Sequence, residues 1–259
     1  MDTFIKTEMH GGVLKINLNR PDKFNSFNRE MALQLQTALD TAASDNAIRA
    51  VFITGEGKAF CAGQDLSEAM DPNGPGIDRI VREHYNPIII KIRTLEKPVV
   101  CAVNGVAAGA GANIALACDV VIAGSSVSFI QAFSKIGLIP DSGGTFFLPR
   151  LIGLGKASAL MMLGEKVSAT EAERMGMIYK VTEDAALQEE ALNIAKTLSE
   201  MPTKGIGLTK RLLNQSMFNT LEKQLEYEEE VQVHAASTYD YKEGVNSFLE
   251  KRKPVFKGE

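Results

Sequence analysis

Short apolar runs that end in polar residues or glycine alternate with helical patterns over most of the chain. These runs have the length and the β-branched composition of strands. They read VLKINLNRP from Val13, AVFITGEG from Ala50, PVVCAVNGVAAG from Pro98 and DVVIAGSS from Asp119. Strands that alternate with helices build sheets whose faces the helices cover. The pattern therefore predicts an α/β fold, and 259 residues suffice for a substantial core.

Local signals place helices between these strands. Asn28 precedes the segment REMALQLQTALDTAASD and is predicted to cap a helix there. The apolar residues of that segment share one helical face, and they are Met31, Leu35, Ala38 and Leu39. The segment ANIALAC, which follows the glycines of the third run, is predicted to form a short buried helix.

The last part of the chain, residues 200–259, lacks any strand pattern. It contains GIGLTKRLLNQS, NTLEKQLEYEEEVQVHAAS and YDYKEGVNSFLEKRKP, which predict helices, and Asp240 with Glu243 fits a capping box for the last of them. These helices are too few for a core of their own and should pack on the α/β body or on a neighbouring subunit. We therefore divide the chain into an α/β core, 1–199, and a helical region, 200–259.

Composition excludes several classes of protein. The net charge of -4 arises from 28 basic and 32 acidic residues that are interspersed, which argues against a nucleic-acid surface. Three cysteines without a CxxC pair are typical of reduced thiols in a cytoplasmic protein. The N-terminus has neither signal-peptide nor transit-peptide character, and no apolar run approaches the ~20 residues of a membrane span. We expect a cytoplasmic protein that binds neither nucleic acid nor membrane.

Familiar catalytic motifs are incomplete in this sequence. GAGAN lacks the third glycine of a dinucleotide fingerprint, and GEGKAF lacks the first glycine and the Ser or Thr of a phosphate loop. The histidines, His10, His84 and His234, have no metal-ligand spacing, and no GxSxG elbow occurs. We therefore expect no metal site and no serine hydrolase, and we interpret each histidine as a surface or packing residue.

Two glycine-containing turns are able to present backbone N–H groups to a ligand. In AFCAGQDL, the small residues Ala62 and Gly63 would let a ligand approach the N–H of Gln64. In NGVAAGAGANIALACD, a strand ends in alanines and glycines before a helix, which leaves N–H groups unpaired near Ala110. Two such donors aimed at one point form an oxyanion hole. The alternative for either turn is that its small residues only permit tight packing.

The stretch LIPDSGGTFF places a single acidic residue, Asp141, between a proline and two glycines. Pro, Asp, Ser and Gly each favour turns, so the stretch alone predicts a turn. An apolar setting would raise the pKa of the carboxyl and make it a stronger base. The apolar residues around it are Phe133, Ile136, Leu138, Ile139, Phe146 and Phe147. A rigid turn can present a base, so the interpretation of Asp141 as a turn residue does not exclude its interpretation as a base.

Four segments, taken in order, resemble the enoyl-CoA hydratase/isomerase (crotonase) superfamily. They are NRPDKFNSFN, AFCAGQDL, VNGVAAGAGANIALACD and FSKIGLIPDSGGTFFLPRLIG, and the similarity extends to the terminal YKEGVNSFLEKRKPVF. The resemblance implies a spiral of ββα repeats with a C-terminal helical trimerisation region. It also implies an acyl-CoA thioester substrate, a homotrimer or a dimer of trimers, and no cofactor, since coenzyme A is part of the substrate.

The resemblance also assigns roles to individual residues. It implies that the N–H groups of Gln64 and Ala110 hold the thioester oxygen and that Asp141 faces the acyl group. The residues it implies for binding of substrate or CoA are Lys23, Phe24, Ala62, Gly63, Asp65, Leu66, Phe133, Phe248 and Lys251. For the two lysines, the alternative is an ordinary solvated surface. Phe248 and Lys251 match positions that can reach CoA across a subunit boundary.

The departures from the family pattern select among its activities. Hydratases of the superfamily use two glutamates, and here Asn113 and Phe133 occupy those positions. A carboxylate at position 141 without that pair implies an isomerase, with ring-1,2-epoxyphenylacetyl-CoA as the first candidate substrate and oxepin-CoA as its product. A Δ3-Δ2-enoyl-CoA isomerase is the alternative enzyme, and a dehalogenase with His84 ranks third. Outside enzymes, a non-catalytic acyl-CoA-binding subunit explains the turns but not Asp141.

Residues 67–87, which precede the third apolar run, form a segment that would line the acyl pocket. It reads SEAMDPNGPGIDRIVREHYNP over residues 67–87 and contains both proline and glycine. Such a segment predicts a mobile flap before a helix. Because a flap of this kind would line the acyl pocket, the sequence leaves the size of the acyl group open.

Overall fold

A computed structural model describes residues 3–259, and within this range the chain forms ten strands. Their bounds are β1 Ile5–His10, β2 Val13–Leu18, β3 Ala50–Gly55, β4 Ala59–Cys61, β5 Val99–Val103, β6 Val106–Ala108, β7 Val120–Gly124, β8 Ser128–Ile130, β9 Lys166–Ser168 and β10 Lys180–Thr182. All four predicted runs contain strands, and the third run contains two of them, β5 and β6.

Twelve α-helices lie in the same described range. They are α1 Arg29–Ser44, α2 Leu66–Ala69, α3 Gly76–Arg79, α4 Asn86–Thr94, α5 Ala110–Leu116, α6 Gly144–Ile152, α7 Leu154–Leu163, α8 Ala169–Arg174, α9 Leu187–Glu200, α10 Thr203–Ser216, α11 Leu221–Ala236 and α12 Tyr239–Glu250. Pro21–Lys23 and Ala132–Ile136 form 3₁₀ turns, and Ile80–Tyr85 forms a π-helical segment.

The strands form two sheets. The larger sheet has six strands in the order β1-β2-β3-β5-β7-β10, and the smaller has four in the order β4-β6-β8-β9. Neighbours in the larger sheet are parallel except for β1 and β2, and in the smaller sheet only β8 and β9 are antiparallel. Parallel strands require long crossover connections, which the intervening helices supply.

Three successive ββα units build the spiral that the family resemblance implies. In each unit the first strand joins the larger sheet and the second joins the smaller: β3 and β4, then β5 and β6, then β7 and β8. Helices follow each pair, namely α2–α4, α5 and α6. The predicted α/β class and the crotonase-like spiral are both confirmed, and the units bring the ends of β4, β6 and β8 side by side.

Helices cover the larger sheet on both faces. On one face α9 contributes Leu187, Ala191 and Ala195, which pack against Phe52 and other buried strand residues. On the other face lies the main core, to which α1 contributes Met31, Leu35, Ala38 and Leu39. Asn28 caps α1 as predicted, since its side-chain oxygen accepts the N–H of Met31. The sheet is therefore buried as the strand composition indicates.

The helical region packs against the α/β core. Arg49, which immediately precedes β3, donates to the backbone oxygens of Met201 and Phe256 and to the hydroxyl of Thr203. Lys210 on α10 is buried and pairs with Asp119 at 2.7 Å. The boundary at residue 200 stays a prediction, although α9 ends there.

The predicted capping box of the last helix is wrong. Thr238 caps α12, because its hydroxyl accepts the N–H of Tyr241. Asp240 lies inside the helix and accepts two backbone N–H groups of the C-terminal tail, at 2.7 and 2.8 Å. Glu243 binds the Arg252 guanidinium in the same tail. Both carboxylates therefore hold the tail against α12 rather than starting the helix.

The segment 67–87, predicted as a flap, is largely helical. Asp65 caps α2 by accepting the N–H of Ser67, and α3 runs directly into the π-helical segment. Glu83 on that segment pairs with Arg29 at 2.6 Å and with Arg79 at 2.9 Å. The pair with Arg29 ties the segment to α1, whereas the pair with Arg79 lies within the segment. The mobility of the segment stays a prediction.

Apolar side chains on the helical region predict an oligomer. Those exposed on the single chain include Leu213, Phe218, Leu221, Leu225, Val233, Phe248 and Leu249. Burial of such a surface is favourable by about 25 cal/mol per Å² of apolar area. We expect a trimer or a pair of trimers in sedimentation velocity at micromolar concentration. A stable species near the chain mass of 28.1 kDa would contradict this expectation.

Candidate active site

The turn after β4 presents the backbone of Gln64. Phe27 donates its N–H to the carbonyl of Gly63 at 2.7 Å, and its own carbonyl accepts the N–H of Asp65 at 2.8 Å. Gln64 therefore pairs with Phe27 as an isolated parallel bridge. Backbone groups of consecutive residues in an extended segment point to opposite sides, so the N–H of Gln64 points away from Phe27. The turn requires a φ of +96° at position 63, which glycine adopts without strain.

The turn after β6 presents the backbone of Ala110. Gly109 adopts φ 53° and ψ -127°, and α5 begins at the next residue. The first N–H groups of a helix have no partner within that helix, so the N–H of Ala110 is available to a ligand. The N–H of Gly109 donates to Ile130 at the end of β8, which fixes this turn to the smaller sheet.

The two turns are in contact with each other. A Cβ atom built on Gly63 would lie 3.0 Å from the carbonyl oxygen of Ala108 and 3.6 Å from the nitrogen of Ala110. A Cβ atom built on Gly111 would lie 2.5 Å from the carbonyl oxygen of Cys61. The backbones of Gln64 and Ala110 are therefore adjacent, as an oxyanion hole requires. The tight packing that small residues permit is present, and the oxyanion hole stays a prediction.

Phe133 packs against the turn after β6. Its side chain is buried, and its ring lies 3.7 Å from a Cβ built on Gly109. This is the position where the resemblance implies a glutamate in hydratases. A buried phenyl ring beside Gly109 excludes water there rather than activating it.

Asp141 lies on the turn between the 3₁₀ segment and α6. Burial raises the pKa of its carboxyl, although a hydrogen bond from Ser142 opposes the shift. Ser142 Oγ donates to Asp141 Oδ1 at 2.8 Å. The setting is apolar only in part, because Phe133 and Phe147 are buried whereas Leu138 and Ile139 are exposed on the single chain.

Asn113 connects the Asp141 turn to α5. Its Nδ2 donates to the backbone carbonyl of Asp141 at 2.8 Å, and its Oδ1 accepts from Nε2 of Gln131 at 2.8 Å. Asn113 lies three positions after Ala110 on the same short helix. One rigid element therefore carries an oxyanion donor and holds the turn with the carboxylate. Sequence reasoning treated Asn113 only as a missing glutamate and did not identify Gln131.

Tyr85 is a further residue that sequence reasoning missed. It is fully buried, and its hydroxyl donates to Oε1 of Gln64 at 2.8 Å. Burial raises the pKa of Tyr85 well above its usual range, and the nearby charge of Asp141 acts in the same direction. The residue therefore links the first turn to the neighbourhood of Asp141. Its segment carries no motif that would have singled it out.

The predicted CoA-binding residues near the first turn lie together. Lys23 ends a 3₁₀ turn, and Phe24, which is exposed with φ 50°, accepts the N–H of Ala62 through its carbonyl at 2.9 Å. Asp65 follows Gln64; burial alone would raise the pKa of its carboxyl, but the paired Arg20 guanidinium lowers it below its ordinary value. Its carboxylate is thus already engaged by Arg20 and by the cap of α2.

Leu66, Phe248 and Lys251 lie on exposed surface. Leu66 begins α2 directly beside the first turn, with 55% of its surface exposed. Phe248 and Lys251 lie at the end of α12 in the helical region, where Lys251 adopts φ 56°. Their contact with CoA, across a subunit boundary or otherwise, stays a prediction.

Residues 3–259 offer neither a metal-binding cluster nor a helix that could span a membrane. No group of three or more His, Cys, Asp or Glu side chains in this range is arranged to hold a metal ion. Within the same range, no helix has both the length and the apolar character that a membrane crossing needs.

Comparison with known proteins identifies the family. The enoyl-CoA hydratase/isomerase family model matches residues 8–259. The chain belongs to this family. It is 47% identical to the 1,2-epoxyphenylacetyl-CoA isomerase of Escherichia coli, with all of both chains covered. It is 38% identical to the trans-2-decenoyl-[acyl-carrier-protein] isomerase of Streptococcus mutans, with 95% of each covered.

Solved structures agree with this assignment. An enoyl-CoA hydratase from Polaromonas sp. JS666 superposes with a TM-score of 0.90 at 36% identity, over 97% of this chain and 99% of that one. The resemblance inferred from the four motifs is therefore confirmed. Because isomerases and hydratases both occur among the relatives, family membership establishes an enzyme of acyl-CoA chemistry without deciding between these reactions.

Gly111→Ala tests whether the contact between α5 and β4 aligns the two turns. The new methyl group would meet the Cys61 carbonyl at 2.5 Å, and overpacking of this kind costs about 1–3 kcal/mol. We expect a loss of that size in the free energy of unfolding, measured by chemical denaturation, together with reduced turnover.

Gly155→Ala is the matched control. Gly155 is also helical, but a Cβ there would meet nothing within 4 Å. Alanine should stabilise this helix by about 0.4–1 kcal/mol and leave turnover unchanged. Equal effects of the two substitutions would contradict a specific role for the α5–β4 contact.

Proposed function

We propose that this protein is an acyl-CoA isomerase that uses Asp141 as a single proton shuttle. The observation that carries the proposal is the partly buried Asp141 carboxyl with its raised pKa. It lies on a turn that Asn113 binds to the helix beginning at Ala110. A base held at a fixed place relative to an oxyanion hole is the arrangement that enolate chemistry needs.

The two backbone donors make a weak carbon acid reactive. A proton alpha to a thioester is too weakly acidic for a free carboxylate, but the N–H groups of Gln64 and Ala110 would stabilise the enolate oxygen. Donors of this kind are each worth about 3 kcal/mol. Asp141 accepts the alpha proton as the electrons move to the thioester oxygen, and it returns the same proton at another carbon. The reaction needs no cofactor beyond the CoA of the substrate.

The substrate we propose is ring-1,2-epoxyphenylacetyl-CoA. The carbon–carbon bond shared by the epoxide and the six-membered ring breaks as the ring double bonds shift, which gives the seven-membered oxepin ring. Asp141 takes the proton from the alpha carbon to form the enolate and returns it to a ring carbon, so the product is an isomer of the substrate. Support comes from the relative of 47% identity, which is a 1,2-epoxyphenylacetyl-CoA isomerase. With a 3-enoyl-CoA, the same shuttle would move the double bond to the 2-position, and this Δ3-Δ2 isomerisation is the second candidate.

Hydration and dehalogenation fit the site less well. Asn113 and Phe133 stand where hydratases have glutamates, and neither side chain exchanges a proton near neutral pH. A dehalogenase would need a histidine that activates water beside Asp141. His84 is fully buried, and among the described residues neither of its ring nitrogens is hydrogen-bonded to Asp141 or to any other group that would position it as a base. A non-catalytic acyl-CoA-binding subunit would require no buried carboxylate.

Asp141→Asn tests the assignment of the base. The amide preserves the turn but cannot accept the substrate proton, and loss of a general base typically lowers the rate about 100- to 10,000-fold. We expect that loss in turnover, with acyl-CoA affinity nearly unchanged. Turnover should be measured for parent and variant with ring-1,2-epoxyphenylacetyl-CoA, a 3-enoyl-CoA and a 2-enoyl-CoA.

The outcomes of this comparison separate the alternatives. Preference of the parent for the epoxide or the 3-enoyl substrate selects between the two isomerases, and addition of water to the 2-enoyl substrate would identify a hydratase. A parent that binds acyl-CoA and turns over none of them would be a binding subunit. Near-parental turnover of Asp141→Asn would leave Asp141 as a turn residue only.

Replacement of Asp141 and of Asp184 by Asn should shift the melting temperature in opposite directions at neutral pH. Burial raises the pKa of Asp141, so its ionised form destabilises the native state, and Asp141→Asn should raise the melting temperature at neutral pH. Hydrogen bonds from Ser126 lower the pKa of Asp184, so Asp184→Asn should lower it. The difference at Asp141 should vanish below about pH 4, where its carboxyl is protonated in both the folded and the unfolded state, whereas the difference at Asp184 should persist at that pH and vanish only in stronger acid, below its lowered native pKa.

The raised pKa of Asp141 should also change the pH dependence of activity. Only the ionised Asp141 carboxylate accepts a proton, so kcat/KM should fall in acid with an apparent pKa above the ordinary value of about 3.9. A destabilised Asp141→Asn variant at neutral pH, or an acid limb at or below that value, would contradict the buried setting of this carboxyl.

A further inference from the structure

We propose that Asn113 and Gln131 act as positioning residues that hold the Asp141 carboxylate toward the oxyanion donors. The inference rests on the proposed role of Asp141 as the base. Asn113 and Gln131 contact the backbone of the turn or each other rather than the carboxylate. They would therefore act on the reaction only through the placement of Asp141.

The pair is a buried polar connection between three separate segments. Asn113 is fully buried on α5, and Gln131 is 3% exposed directly after β8. The hydrogen bonds from Gln131 to Asn113 and from Asn113 to the Asp141 carbonyl are both 2.8 Å long. Buried polar groups are costly unless they are hydrogen-bonded. Both polar atoms of the Asn113 amide are paired, whereas Oε1 of Gln131 has no hydrogen-bond partner among the described residues.

The Asp141 carbonyl, which can only accept, selects the donor end of the Asn113 amide, and Gln131 supports that orientation. An amide has a donor end and an acceptor end, and only the donor end can bind a carbonyl oxygen. The Nε2 donor of Gln131 meets Oδ1 of Asn113, and Nδ2 faces Asp141. Rotation of the amide would bring two oxygen atoms together at Asp141 and two N–H groups together at Gln131.

The turn at Asp141 depends on such external support. Ser142 adopts φ 51° and Gly143 adopts φ 73°, so two consecutive residues are in the left-handed region. This conformation is unfavourable for a residue with a Cβ atom and persists where surrounding contacts determine it. The Asp141 carbonyl accepts the Asn113 amide and, at 2.9 Å, the N–H of Gly144.

Gly144 leaves the space in which the amide lies. A Cβ atom built on Gly144 would lie 2.4 Å from Nδ2 of Asn113. The start of α6 therefore approaches Asn113 as closely as a residue without a side chain allows. Asn113 and Ala110 lie on the same helix. The Asn113 amide therefore fixes the position of the proposed base, Asp141, relative to the proposed oxyanion donor, the N–H of Ala110. A misplacement of about 1 Å between such groups can lower a rate about 100-fold.

A double-mutant cycle tests the connection. Asn113→Ala removes the donor to Asp141, and Gln131→Met removes the group that supports the orientation of Asn113 while keeping the length of the side chain. We expect Asn113→Ala to lower kcat about 10- to 100-fold and Gln131→Met to lower it about 3- to 10-fold, with KM within about 3-fold of the parent. In the Asn113→Ala background, Gln131→Met should have no further effect on kcat.

Asn104→Ala is the matched control. Asn104 makes the same two kinds of contact, since it accepts the N–H of Gly55 at 3.1 Å and donates to the carbonyl of Gly57 at 3.0 Å. It holds the turn between β3 and β4, which carries none of the proposed catalytic groups. This substitution should lower the melting temperature without lowering kcat, so it separates a structural contribution from the positioning of Asp141.

The outcomes distinguish this inference from the function on which it rests. If Asp141→Asn retains turnover, the proposed function fails. If Asp141→Asn is inactive but Gln131→Met has parental kcat, the positioning role is overturned. Raised KM with unchanged kcat, or additive effects in the cycle, also overturns it. Should Asn113→Ala fail to fold, Gln131→Met and its kcat decide the question alone.

Discussion

The close packing of α5 against β4 is the contact on which the candidate site depends. Gly111 lies so near the Cys61 carbonyl that a methyl group there would overlap it, and a Cβ atom on Gly63 would lie 3.0 Å from the Ala108 carbonyl oxygen. This packing brings the turns after β4 and β6 together and sets their N–H groups side by side. Burial raises the pKa of the Cys61 thiol to about 12, so this cysteine is a neutral packing residue at the contact.

The burial of the Asp141 carboxylate lowers the stability of the folded protein but increases the strength of the base. Burial makes the ionised Asp141 less favourable and raises its pKa, which is also what makes it a stronger base. Among the described residues no cation pairs with this carboxylate; it accepts a hydrogen bond instead, and a second hydrogen bond holds its turn. Ser142 donates to the carboxylate, and Asn113 donates to the carbonyl. A paired lysine or arginine would have stabilised the ion and weakened the base.

Local patterns in the sequence predicted strands β2, β3, β5, β6 and β7, the cap of α1 and the family, because each depends on residues close together in the chain. The same patterns failed at Asp240 and Glu243, whose partners lie in the C-terminal tail. They also missed Tyr85 and Gln131. Tyr85 meets Gln64 across 21 positions, and Gln131 meets Asn113 across 18. Contacts of that length follow from the spiral of ββα units, which no single segment encodes.

The two positions that depart from the hydratase pattern act together in favour of isomerisation. Addition of water needs a second group that holds and activates it, whereas an isomerase needs one base that takes a proton and gives it back. Phe133 fills one position with a buried ring beside Gly109. Asn113 fills the other with an amide whose donor and acceptor are both engaged within the protein. Neither has a free polar group for water, which supports the proposal that Asp141 alone serves as the proton acceptor.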